Sequence, residues 1–175
     1  MESVYWKEEL KRIAQTLRPA SRLRRWSERA ANIVERDISV GFFIVRRLIE
    51  LYKVSSRTAS MQLNVFSTPS IKNITRTNSH DLEENYNWAI EKSGTLDVSY
   101  ACNQCIHSYL MFVFRDKKRN LSDLIVASDY DRNKKVWRIP VSEILRLFDV
   151  ASKDYPVDIQ MKHDEKINDY RVSTD

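Results

Sequence analysis

Trp6, Leu10, Ile13 and Leu17 recur at i, i+4, i+7 and i+11. That is one stripe of a 3.6-residue period, and it predicts a first helix over residues 3–17. Arg18-Pro19 ends it, because a residue before proline is pushed out of the α region, and Ser21 is placed to cap the next helix. A long second helix follows over residues 22–53, with Leu23, Trp26, Ala30, Ile33 and Val34 and then Ile38, Phe42, Val45, Ile49 and Tyr52 as its apolar stripes. Asp37, Ser39 and Gly41 interrupt the pattern, so the helix either bends there or restarts with Asp37 or Ser39 as a cap. Its second half is apolar almost all round except for Arg46, Arg47 and Glu50, as expected of the central helix of a core.

Residues 58–66 alternate β-branched and apolar side chains and read as a strand. Residues 67–79 read as a long irregular polar connection. Ser79 is placed to cap a helix over 79–91 with Leu82, Tyr86, Ala89 and Ile90 facing inward, broken by Gly94. Residues 96–108 read as a further helix and residues 109–114 as extended chain. Residues 121–128 and 134–140 form a hairpin around Tyr130-Asp131-Arg132-Asn133, whose Asp and Asn suit a turn. Ser142 is placed to cap a last amphipathic helix carrying Ile144, Leu145, Phe148 and Ala151. The expected fold is α+β: a helical core of four to five helices, with a small antiparallel sheet at one side made mainly from the C-terminal hairpin.

A length of 175 residues suits one domain, placed at 1–161, with 162–175 a polar tail that frays. Only two glycines are present, which speaks against a phosphate-binding loop, a dinucleotide fingerprint or a turn-rich β fold. No apolar run approaches the roughly 18 residues a membrane span requires, and no basic then apolar leader opens the chain. The expectation is a cytoplasmic protein with no membrane contact. Two cysteines three positions apart, Cys102 and Cys105, are read as reduced thiols. Residues 1–57 hold 13 Lys/Arg against 7 Asp/Glu, a net +6, while the other 118 hold 16 against 17, a net −1. The basic half reads either as a face that meets phosphates or as solvated helix surfaces.

Candidate chemistry gathers in Cys102-Asn103-Gln104-Cys105-Ile106-His107. Asn103 and His107 stand at i and i+4, where the amide can orient the imidazole and leave its other nitrogen free for proton transfer. A structural His–Asn hydrogen bond is the plainer alternative. Asn-x3-His closing an amphipathic helix resembles the HEPN superfamily (higher eukaryotes and prokaryotes nucleotide-binding). The signature of that superfamily is Arg, then four to six residues, then His, commonly with Asn directly after the Arg. Asn103 and His107 match, whereas Cys102 stands at the Arg position. The string from Phe43 to Ser55, together with the Cys102–Ser108 segment, also resembles a bacterial protein family with no assigned activity.

The HEPN resemblance spans the helical segments between 22 and 108. It implies an RNA-directed protein of toxin–antitoxin or phage-defence type, a metal-independent ribonuclease acting as a dimer. His107 would handle the 2′-hydroxyl or leaving-group proton, and Arg46 or Arg47 would supply a cation, with Glu50 holding the Arg46 guanidinium. The Cys102 replacement leaves open a degenerate relative without cleavage. The rival reading is a non-catalytic protein-interaction module, a partner subunit or immunity-type protein, whose basic helices meet an acidic protein. Arg47 with Arg22, Arg24 and Arg25 are the nucleic-acid-binding candidates, Arg beside Trp26 being suited to base stacking. Cys102-x2-Cys105-x-His107 falls short of a zinc site, since C-x2-C normally comes twice. No metal and no cofactor is expected. The partners considered are RNA, a second copy of the chain and an acidic protein.

Overall fold

The computed structural model describes residues 3–20, 26–165 and 168–175. The described residues form six α-helices and seven strands. Helix α1 (Ser3–Ala20) doubles back onto α2 (Glu28–Glu50), and a single turn, α3 (Ser56–Ala59), leads into β1 (Gln62–Pro69). A long connection carries the short α4 (Leu82–Asn85) and a 3₁₀ turn at Trp88–Ile90 before β2 (Lys92–Asp97). Then come α5 (Val98–Ile106), β3 (Ser108–Arg115), β4 (Leu121–Ser128), β5 (Lys135–Pro140), α6 (Val141–Lys153), β6 (Ile159–Asp164) and β7 (Asp169–Thr174).

Five strands form one antiparallel sheet in the order β2-β1-β5-β4-β3. The fold class is α+β, but the sheet is not a small appendage to a helical core. It is a central layer buried on both sides. One face carries Leu63, Val65, Leu124, Val126, Trp137 and Ile139 and packs under α1, α2, α5 and α6. The other carries Leu110, Ile125, Ala127 and Val136 and is covered by Ile74, Leu82 and Tyr86 from the 70–91 connection. The alternation of strand residues between these two clusters is the period-2 consequence of the pleat. β1 and β2 flank the long connection and join a hairpin far down the chain, a non-local pairing that local pattern does not announce.

α2 runs without a break through Asp37, Ser39 and Gly41. Asp37 is buried beside Arg36, which bonds it at 2.6 Å, and Ser39 returns its hydroxyl to the Glu35 carbonyl. Gly41 is where the Phe148 ring of α6 meets the helix backbone, and a Cβ there would overlap that ring. The glycine marks a helix crossing, not a helix end. Ser27 caps α2 by accepting the Ala30 N–H. The C-terminus closes with Tyr52 at φ 53° and Lys53 N–H bonded to the Leu48 carbonyl at 2.8 Å, a Schellman closure.

The helix expected over 79–91 is cut down to the single turn α4 and the 3₁₀ turn at Trp88–Ile90. The Asn85 side chain turns to the Asn78 carbonyl and the Trp88 indole to that of Leu82. The backbone of 85–87 meanwhile bonds Pro69 and Ile71 beside β1. Short polar side chains and a nearby strand thus outcompete the helical ladder. Gly94 lies inside β2, opposite Val65. Residues 58–61 belong to α3 and the turn after it, so β1 starts at Gln62. α6 begins two residues earlier than expected, with Pro140 and not Ser142 at the cap position and no side-chain cap bond. Its Glu143 and Arg146 instead reach the Asn64 N–H and the Gln62 carbonyl, completing β1 where β5 has ended.

The segment 162–175, expected to fray, supplies part of β6 and all of β7. β3 is an edge strand rich in apolar residues, and α2 lies against it, with Glu35 near the Val113 N–H. Among the described residues no helix is long and apolar enough to cross a membrane.

Candidate functional site

α5 places the predicted residues. Asp97 caps it by accepting the Ser99 and Tyr100 N–H groups, which fixes the helix start and hence which side chains face α2. Ala101, Cys102 and Cys105 are turned into the core. Burial raises the Cys102 thiol to about 12, and the Cys105 thiol also lies well above the usual range, for the same reason. Neither is a thiolate at neutral pH, so neither is primed as nucleophile or ligand. Among the described residues no group of three His, Cys, Asp or Glu side chains could hold a metal ion.

Arg46 of α2 reaches α5. Its Nη1 donates to Asn103 Oδ1 at 3.0 Å, and its Nε donates to Glu50 at 2.6 Å. Arg47 Nη1 reaches the other Glu50 oxygen at 3.0 Å. The hydrogen bond from Arg46 holds the Glu50 carboxyl below its usual range, with Arg47 adding to the effect. Arg46 and Arg47 are both half-exposed, and the Arg46 Nη2 group makes no bond among the described residues. The sequence thus named two residues, Arg46 and Asn103, that the fold brings into contact.

The Asn103–His107 pair does not form as expected. His107 is the residue that closes α5, at φ −105° and ψ 30°, and only its backbone N–H returns to the Asn103 carbonyl. Leaving the helix there turns the imidazole away from the i, i+4 alignment. The Asn103 amide oxygen meanwhile faces a guanidinium, a stronger charge-assisted donor. His107 is exposed and its imidazole has no hydrogen-bond partner among the described residues. It lines an open depression of 410 Å³ with Asn103, Gln104, Ser128, Asp129 and Tyr130. Arg22, Arg24 and Arg25 lie outside the described residues. Arg47 sits by α1 in a crevice with Trp6 and Leu51.

Behind Tyr100 and Gln104, which line that depression, lies a residue that sequence reasoning read only as turn chemistry. Asp131 is 2% exposed. Its Oδ2 accepts from Tyr100 Oη at 2.6 Å, Gln104 Nε2 at 3.0 Å and Trp137 Nε1 at 3.2 Å. Gln104 in turn accepts the Ser128 N–H at 2.8 Å. Together these bonds lock α5 to the β4–β5 turn. Burial, with the bond to Asp131 adding to it, raises the Tyr100 hydroxyl to about 12. Tyr100 and Gln104 stand at i and i+4 of α5, a signal present in the sequence but masked by the Asn103–His107 pair beside it.

A second half-buried cation lies on the other face of the sheet. Arg138 bonds Glu91 at 2.6 Å and Asp123 at 3.1 Å and stacks over Phe66 at 3.8 Å. It lines a groove of 1190 Å³ with Trp88, Phe114 and Ile125. Chemically, the α5 depression offers an imidazole with no hydrogen-bond partner among the described residues and, at Asn103 on its rim, a bond to the Arg46 guanidinium, whereas the groove offers a cation already matched by two carboxylates. No family model matches the chain, and no curated protein or solved structure matches it.

Proposed function

We propose that the chain is an RNA-directed protein that handles a phosphodiester at the end of α5, in the manner the HEPN resemblance implies. The observation that carries the reading is the hydrogen bond between Arg46 Nη1 and Asn103 Oδ1. It brings a cation to the helix turn that ends in His107. Glu50 and Asn103 fix two edges of the guanidinium and leave Nη2 free for a phosphate oxygen, which suits the planar fork. His107, open to solvent, takes the proton of a 2′-hydroxyl as its oxygen attacks phosphorus. The bond to the 5′ oxygen then breaks as that oxygen takes a proton from water, leaving a 2′,3′-cyclic phosphate and a 5′-hydroxyl, with Arg46 countering the charge that builds on the phosphoryl oxygens.

The test is incubation of the full chain with RNA in EDTA. Cyclic-phosphate ends should form and be lost by roughly 10²–10⁴-fold in His107→Ala, the usual worth of a general base. Binding should weaken steeply with salt as counterions are released. Absence of both cleavage and salt-dependent binding defeats the reading.

A non-catalytic interaction module is the second reading. The observation favouring it is that Glu50 engages both Arg46 and Arg47. On that reading the Arg46–Asn103 bond only ties α2 to α5. Asn103→Ala would then lower stability by about 1 kcal/mol, the net worth of one such bond, and leave RNA binding untouched.

A further inference from the structure

The β4–β5 turn gathers aromatic rings and cations. Lys134 Nζ lies 3.3 Å from the centre of the Tyr130 ring, the Arg132 guanidinium 3.8 Å from that of Tyr109, and Lys135 Nζ 4.4 Å from that of Trp137. The three pairs differ in what they leave open. Trp137 is buried, and Arg132 is matched by Asp129 at 3.2 Å. Tyr130, by contrast, is 75% exposed. Lys134 is exposed beside it, and its ammonium forms no ion pair among the described residues. A bulky ring held in water gains little from burial, and here one face of it remains to be covered. The turn that carries the ring is tightly built. The Asp131 carbonyl accepts the Lys134 and Lys135 N–H groups at 2.7 and 2.9 Å, while its buried carboxylate holds Tyr100 and Gln104 of α5. The Asp129 N–H donates to the His107 carbonyl at 3.2 Å, and Tyr130 lines the same depression as His107. The turn and the end of α5 are thus fixed against one another, so little order has to be imposed when a ligand arrives.

We propose that Tyr130 and Lys134 form a nucleotide subsite beside His107, where an unpaired RNA base stacks on the open face of the tyrosine and a neighbouring phosphate meets the ammonium. The inference rests on the RNA reading above and names the residues that set affinity for the strand. A nucleotide offers a flat ring and an anion a few bonds apart, which matches a bare ring with a cation beside it. The side chain of an acidic peptide offers the charge without the ring. Asp129, the other exposed carboxylate of the turn, is offset by Arg132 and so repels a phosphate little. A duplex keeps its bases stacked on one another and presents mainly phosphates and sugar hydroxyls, so the subsite selects single strands. Preference among bases should be slight, because every base has a π face and the ring reads no base edge. The turn lies beyond residue 108, outside the segments that the HEPN resemblance spans, so the resemblance does not imply it.

Fluorescence anisotropy of the full chain with a short labelled RNA tests it, the strand carrying 2′-O-methyl groups so that it binds without being cut. The single strand should bind more tightly than the same sequence in a duplex. Tyr130→Ala should weaken single-strand binding roughly 5- to 100-fold, the usual worth of one stacked base, while Tyr130→Phe, which keeps the ring, should stay within about 2-fold of the parent. Lys134→Gln should lower the slope of log affinity against log salt by about 0.7–1, one phosphate contact. Tyr5→Ala removes a similarly exposed ring, 69%, from α1 and should leave binding unchanged. These side chains are all exposed, so unchanged circular dichroism and thermal midpoint show that each variant is folded. Full affinity in Tyr130→Ala, or equal affinity for the duplex, overturns the subsite and leaves the RNA reading in place. A loss in Tyr5→Ala as large as in Tyr130→Ala overturns it equally, by showing that the effect does not belong to the turn. No binding of either RNA at low salt defeats the RNA reading itself and the subsite with it.

Discussion

The crossing of α2 and α6 at Gly41 gives a sharp test of why the long helix keeps a glycine in its middle. On helix propensity alone Gly41→Ala should stabilise the protein by about 1 kcal/mol. The structure predicts the opposite sign. A Cβ at 41 would overlap the Phe148 ring, and that ring has little freedom to withdraw. Phe148 is fully buried and meets Phe42 edge to face at 5.5 Å and 73°. Overpacking of this kind costs typically 1–3 kcal/mol, and so close an overlap belongs at the upper end. The net expectation is a loss of about 1–2 kcal/mol, or a thermal midpoint lower by roughly 3–8 °C for a chain of this size. Urea titration followed by tryptophan fluorescence reads the free energy directly. The double variant Gly41→Ala/Phe148→Leu should recover at least about 1 kcal/mol relative to additivity, because the smaller side chain makes room for the methyl. An alanine variant as stable as the parent, or a double variant showing strict additivity, refutes the close-packing argument and returns Gly41 to a simple propensity defect.

Two further outcomes follow from buried polar groups. Tyr86 is 1% exposed, and burial raises its hydroxyl from 10 to about 12. The folded state then keeps a proton that the unfolded chain gives up, so stability should fall as pH rises from 10 to 12, by at most about 2 kcal/mol for this group. Tyr86→Phe should flatten that slope in urea midpoints compared across the range, and an unchanged slope contradicts the assignment. Asp131→Ala strands three donors on the Tyr100, Gln104 and Trp137 side chains and should cost about 3 kcal/mol with loss of near-ultraviolet tryptophan signal, whereas Asp131→Asn, which keeps an acceptor oxygen, should cost less than half as much. Equal costs would show that the network is not held by the acceptor.

Much of the fold was legible where local chemistry decides it. The β4–β5 hairpin follows from apolar strands flanking Asp131 and Asn133, and α2 and α5 follow from their periodicity. What escaped was non-local. β2, Lys92-Ser-Gly-Thr-Leu-Asp97, carries four exposed residues and earns its place in the sheet only by pairing with β1. The 79–91 segment has helical spacing, but its backbone is claimed by the chain around Pro69 and Ile71. The hairpin of residues 159–174 has ideal alternation, hidden by its polar composition. The site divides the same way. Arg46 and Asn103 were named from residue type and do meet, whereas the Asn103–His107 bond failed because His107 ends its helix. The Arg138–Glu91–Asp123 cluster draws on three separate segments, which no spacing rule connects.

The way α2 lies along β3 also bears on how the protein would fail. Ser108 to Arg115 is an eight-residue edge strand with an apolar centre, Tyr-Leu-Met-Phe-Val-Phe, of the composition that nucleates cross-strand pairing between molecules. Glu35 of α2 lies near the Val113 N–H, and Ser39 donates to Met111 Sδ at 3.3 Å. The helix is therefore a guard over the one long apolar edge of the sheet. Detachment of α2 alone, with the sheet still intact, would expose a ready template, so association between molecules should follow that local opening and not the free energy of complete unfolding.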